Sequence, residues 1–98
     1  MKMIFLTYND AQNDEVMEIL GEFNIPAYCR FRDVQATTLR GRPRMGTHTW
    51  PGYNFAITFA LDEEVASALF AKIREFNKQA KYEGIQGMSW TVDDICQE

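Results

Sequence analysis

Tyr53-Asn54-Phe55-Ala56-Ile57-Thr58-Phe59-Ala60-Leu61 alternates without a break. Successive side chains of a strand point to opposite faces. Phe55, Ile57, Phe59 and Leu61 therefore fall on one side, and Asn54, Ala56, Thr58 and Ala60 on the other. The bulky side suits a layer of helices, and the small side suits close approach by another sheet. Helical spacing begins at once. Asp62 stands at a capping position, Glu63 and Glu64 open the helix, and Val65, Leu69, Ile73 and Phe76 form a stripe with Phe70 beside it. Lys72, Arg74, Lys78 and Lys81 gather toward the negative end of its dipole. From about Gly84 to Val92, Met88, Trp90 and Val92 alternate against Ser89 and Thr91. This half of the chain reads strand-helix-strand.

The first half has the same order. Lys2 to Tyr8 is apolar on both faces, with Met3 and Phe5 on one and Ile4, Leu6 and Tyr8 on the other. Such a strand needs cover on both sides. Asn9-Asp10 breaks it, and Asn13 or a polar neighbour can cap a helix whose inward residues are Val16, Ile19, Leu20 and Phe23. Asn24-Ile25-Pro26 ends that helix. Ala27 to Thr38 alternates again, with Tyr28, Arg30 and Arg32 facing one way and Cys29 and Phe31 the other. Leu39 to Gly52 has no period, and loops of that length in small domains are usually functional or mobile. The whole order predicts an α+β, ferredoxin-like βαββαβ sandwich in residues 1–98: a four-stranded antiparallel sheet with two helices on one face. The other face would carry bare apolar residues, which predicts association into a homo-oligomer.

The chain has 98 residues, 46% of them hydrophobic and 24% charged, as in ordinary globular proteins. Met3-Ile4-Phe5-Leu6 is too short for a signal-peptide core or a membrane span. Cys29 and Cys96 form no CxxC or Cys/His cluster, so a reduced pair in a cytoplasmic protein without membrane insertion is expected. The net charge of −4 is uneven: Arg30 to His48 holds five arginines and one acid, for +4, leaving −8 elsewhere. An acidic remainder opposes nucleic-acid binding at long range.

These residues resemble a family. Two ferredoxin-like halves with a long loop after the second strand is the plan of the PII (GlnB-like) signalling proteins. Gly46-Thr47-His48-Thr49-Trp50-Pro51-Gly52-Tyr53-Asn54 is similar to the Gly-Thr-His-x-Trp-Pro-Gly-x-Asn segment of a small PII-like subgroup. The match continues through Glu83-Gly84-Ile85 and the strand with Trp90. The resemblance implies a homotrimer with ligand clefts between subunits. It also implies an effector arm, here about residues 35–52, that controls a transporter, enzyme or regulator. Typical members hold ATP phosphates on a glycine- and basic-rich loop before the last strand. Here that segment is Asn77-Lys78-Gln79-Ala80-Lys81-Tyr82-Glu83-Gly84, without a Gly-x-Gly run, and no arm tyrosine matches the one some members modify. The cofactor is thus left open, and another anion or a metal gains weight over a nucleotide.

In Arg40-Gly41-Arg42-Pro43-Arg44 the charges sit at alternate positions, so an extended loop would point them the same way. Guanidinium forks bind carboxylate or phosphate in bidentate fashion; the plainer account is a solvated loop kept soluble by charge. Arg40, Arg42 and Arg44 are expected to meet a small anionic ligand or a protein target, with Arg30 and Arg32 lining the strand end beneath. Thr47, His48 and Trp50 are expected to set the geometry of the arm. His48 could instead ligate a metal, but spacing supplies no companions, so no metal site is expected. Ser67 and Ser89 lie in no nucleophile-elbow pattern, and nothing brings Cys29 to His48, so no catalytic residues are assigned and the chain reads as a non-enzyme. The competing class is a metal-handling protein like the copper-tolerance CutA family, or a small ferredoxin-like enzyme.

Overall fold

Alternation at 54–61 yields a central strand, and the rest of the fold assembles around it. In the computed structural model, residues 1–39, 42–49, 51–80 and 83–97 are described. The elements are β1 (Lys2–Asn9), a 3-10 turn (Asp10–Gln12), α1 (Asn13–Glu22), β2 (Cys29–Val34), β3 (Asn54–Leu61), α2 (Glu63–Gln79) and β4 (Gln86–Thr91). The sheet order is β2-β3-β1-β4, and each neighbouring pair is antiparallel. This is the ferredoxin-like sandwich.

Register explains which side is buried. Ile4 opposes Phe59, Leu6 opposes Ile57 and Tyr8 opposes Phe55. These residues, with Leu61, pack against Val16, Ile19 and Leu20 of α1 and Ala66, Leu69 and Ile73 of α2. Ile4, Ile57 and Leu69 are wholly enclosed; each such side chain contributes about 1.5–3 kcal/mol by leaving water. Gly87 lies opposite Leu6 in β4. A Cβ there would come within 2.9 Å of Leu6 Cδ2, so glycine lets the Leu6 and Phe70 side chains reach the strand.

The other face has no helix. Met3, Phe5, Met88, Trp90, Cys29 and Phe31 share it by register. Phe31, Met88 and Trp90 are about half exposed (53%, 54% and 48%). The chain exposes 6767 Å², whereas a compact monomer of this mass exposes about 5,800 Å². The bare apolar face expected from Lys2–Tyr8 is present, with Met3 and Phe5 as its β1 members.

Several element ends differ from the sequence expectation. β2 covers Cys29–Val34 rather than 27–38 because a bulge follows Phe31: Phe31 pairs with Ala56 and Val34 with Asn54. Two residues, Arg32 and Asp33, then stand opposite Phe55, and Asp33 takes a left-handed φ of 56°. Asn13 begins α1 but does not cap it. Asn9 caps instead, its side chain accepting from the Ala11 N–H of the 3-10 turn at 3.0 Å. Asp62 is at the N-cap of α2, but its side chain makes no capping bond; its carbonyl accepts from Ala66 N–H at 2.9 Å. β4 starts at Gln86 because the residues before it answer to α2: Asn77 Nδ2 donates to the Ile85 carbonyl at 2.9 Å, and Ile85 N–H donates to Asn77 Oδ1 at 2.7 Å.

Candidate functional site

The segment between β2 and β3 folds back on itself. Ala36 and Arg44 exchange two backbone hydrogen bonds, of 2.8 and 2.6 Å, and the Gln35 side chain donates to the Met45 carbonyl at 2.9 Å. The arm thus has a two-stranded base. A second turn follows, closed by Gly46 N–H to the Gly52 carbonyl at 3.1 Å. Both glycines have positive φ, 66° and 88°, a region costly for L side chains. The Tyr53 ring lies directly over Gly46 and leaves no space for a Cβ.

Arg44 turns inward from this base. Its guanidinium pairs with the Glu83 carboxylate, and Nη1 donates to Asn54 Oδ1 at 3.2 Å. The two charged side chains are only 14% and 8% exposed. Thr38 Oγ1 donates to Glu83 Oε2 at 3.2 Å, Asn54 Nδ2 donates to Thr7 Oγ1 at 3.2 Å, and Thr7 donates on to the Phe55 carbonyl at 3.0 Å. Gln12 Nε2 donates to the Glu83 carbonyl at 3.0 Å, while its buried Oε1 has no partner among the described residues. One polar cluster therefore joins the arm, β1, β3 and the α2–β4 connection. A buried ion pair holds only when geometry and further hydrogen bonds offset the desolvation of both charges. Thr38, on the carboxylate, and Asn54, on the guanidinium, supply those bonds.

The expected site residues are divided by this arrangement. Arg44 does not share a solvent-facing row with the other loop arginines, because Glu83 neutralises it in the interior. Arg42, Thr47 and His48 lie at the exposed surface of the arm. Arg40 and Trp50 lie outside the described residues. Arg30 and Arg32 project from the helix-facing side of β2, their guanidiniums 5.6 and 6.0 Å from the centre of the Phe55 ring. Arg30 Nη1 also reaches Asn13 Oδ1 at 3.5 Å, the atom that accepts the Tyr8 hydroxyl at 2.8 Å. Burial pushes the Tyr8 phenol up to about 12, and the Arg30 charge partly counters that rise. Among the described residues no three His, Cys, Asp or Glu side chains are grouped to hold a metal, and both cysteines are free and exposed. No helix among them is long and apolar enough to cross a membrane.

Thr7, Thr38 and Gln12 were not singled out by the sequence, and Asn54 and Glu83 were quoted only as parts of longer strand and family-like segments, with no role assigned. Isolated polar residues carry no period, so their pairing with one another left no signal.

No protein-family model and no curated protein matches the sequence. Solved structures do match in shape. A PII-like signaling protein from Thermus thermophilus aligns at a TM-score of 0.67 and 15% identity, over 93% of this chain and 85% of that one. CPII from Thiomonas intermedia K12, a nitrogen regulatory PII-like protein solved with ADP and bicarbonate, gives 0.70 and 15% over 95% and 88%. Its apo form gives 0.60 and 16% over 93% and 89%. Across nearly its whole length, then, this chain has the fold of PII-like signalling proteins.

Proposed function

We propose that this chain is a PII-like regulatory protein with no catalytic activity of its own. It assembles as a homotrimer over the bare sheet face, binds a small anionic ligand at the intersubunit clefts, and controls a protein target through its arm. The observation that carries the reading is the buried Arg44–Glu83 pair, which ties the arm base to the connection entering β4. A ligand that favours one arrangement of this connection shifts the population of arm conformers by its differential affinity. Arg40 and Arg42, with Thr47, His48 and Trp50, are then the target-reading surface, and Arg44 is the linkage.

The ligand-bound forms of CPII hold ADP, AMP and bicarbonate. Here the Glu83 carboxylate stands in the α2–β4 connection and no glycine-rich phosphate loop precedes it. Without a glycine-rich loop the segment lacks the flexible backbone that cradles a triphosphate chain, which supports a small oxyanion as the effector. The test combines light-scattering mass with hydrogen exchange of the Ala36 and Arg44 amides, with and without bicarbonate, AMP or ADP. Three-subunit mass and ligand-dependent exchange at the arm base are expected. A folded monomer at micromolar concentration, or exchange unmoved by any of the three, overturns the reading.

A further inference from the structure

Arg30 and Arg32 hold two positive charges against one aromatic ring. Each contact alone is an ordinary cation–π pair. Together they bring two like charges to one ring on an edge strand, and like charges repel. Among the described residues neither guanidinium has a carboxylate within ion-pair distance, in a chain with fourteen acids. The backbone is also bent to make the pair. The bulge sets Arg32 opposite Phe55, at the cost of a left-handed φ of 56° at Asp33. Bulges and strained residues of this kind gather at functional sites, where they re-aim a side chain.

Arg30 is further fixed by Asn13 Oδ1 at 3.5 Å and Met17 Sδ at 3.7 Å. One guanidinium nitrogen is thus occupied, while each fork keeps other N–H donors. The Arg30 fork, held before binding, loses little rotamer freedom when an anion arrives, and Arg32 stands over the same ring at 6.0 Å. We propose that Arg30 and Arg32 form a clamp for a small oxyanion, each fork donating to its oxygens, on the helix-side edge of β2. The clamp is separate from Arg44, whose charge Glu83 already satisfies. The inference rests on the small-anion reading above and assigns the anion a place.

Calorimetric titration at low ionic strength tests it, with inorganic phosphate, bicarbonate and AMP as probes. The first two present a free anion, and AMP presents the same chemistry on a nucleotide. At least one probe is expected to bind wild type, and the Arg30→Gln/Arg32→Gln double variant is expected to bind it at least tenfold more weakly. Arg74→Gln removes the arginine that stands alone over Phe70 at 6.0 Å and should leave affinity unchanged. Should the glutamine pair fail to fold, Arg30→Lys/Arg32→Lys keeps both charges and stems but loses the forks, and at least a threefold weakening is expected. Without added anion, Arg32→Gln should melt no lower than wild type, because it relieves repulsion; a lower melting point would mark a merely structural arginine and overturn the clamp. Wild-type binding that survives both double variants refutes the clamp and leaves the small-anion reading standing. Failure of wild type to bind any probe refutes both.

Discussion

Cutting the Arg44–Glu83 pair from one side should be far more harmful than removing it whole. Arg44→Met leaves a carboxylate that is 8% exposed without its counter-charge, and Glu83→Leu strands a guanidinium that is 14% exposed. An uncompensated buried charge costs about 3–5 kcal/mol. With global stability of about 5–15 kcal/mol for a small domain, either variant loses a large share of it. The double variant strands neither charge. It still loses the Arg44–Asn54 and Thr38–Glu83 hydrogen bonds, together about 2 kcal/mol. Independent effects would sum to about 6–10 kcal/mol, so a coupling energy of at least about 4 kcal/mol is expected. Urea unfolding at one fixed protomer concentration measures all four corners of the cycle. Single losses under about 1 kcal/mol, as for exposed ion pairs, or additivity within about 0.5 kcal/mol, would show that the arm base is not tied through this pair.

Three further outcomes follow from other parts of the molecule. Tyr8 should resist ionisation: absorbance titration should show one of the four tyrosines deprotonating near pH 12, and that step should vanish in Tyr8→Phe. Because the folded form holds this proton more tightly than an unfolded tyrosine of pKa about 10, the Tyr8 contribution to stability is whole below pH 10. It is lost as the pH rises toward 12, so Tyr8→Phe should flatten urea midpoints across that window. Gly84→Ala places a methyl against Asn77 Oδ1 and should cost about 1–3 kcal/mol by opening the two-bond clamp on Ile85, read as faster exchange of the Ile85 amide. Phe31→Asp with Trp90→Asp, both on the half-exposed helix-free face, should turn the proposed trimer into a folded monomer by light scattering; an unchanged mass would place the interface elsewhere.

The scaffold was legible where one period ran unbroken. Phe55 to Leu61 and Leu69 to Ile73 face the core as their spacing demands, because burial repeats with the geometry of the element. Arg32 to Val34 was not legible beyond its first residues: a bulge adds one residue to the count and reverses the face of everything after it, and no side-chain pattern announces it. The arginines illustrate a different limit. Arg42 and Arg44 look equivalent in sequence, yet one is exposed and the other is half-buried in an ion pair, and the difference is made by Glu83, thirty-nine residues away. Long-range pairing of single polar groups leaves no local signature. The bare sheet face, by contrast, could be anticipated, since Lys2 to Tyr8 is greasy on both sides while the chain has helices enough for only one.

The placement of β1 has a consequence for how the protein is made. This strand comes first in the chain, yet it lies in the interior of the sheet, between β3 and β4. Its partners are Asn54–Leu61 and Gln86–Thr91, so during synthesis one of its edges waits for β3 and the other for β4. Early closure of local hairpins cannot shorten that wait, and distant pairings are slow to form. Both edges of β1 are therefore open until β3 is made, and the edge that β4 covers stays open longer. Chaperone dependence in the cell, more than equilibrium stability, is where this topology should be felt.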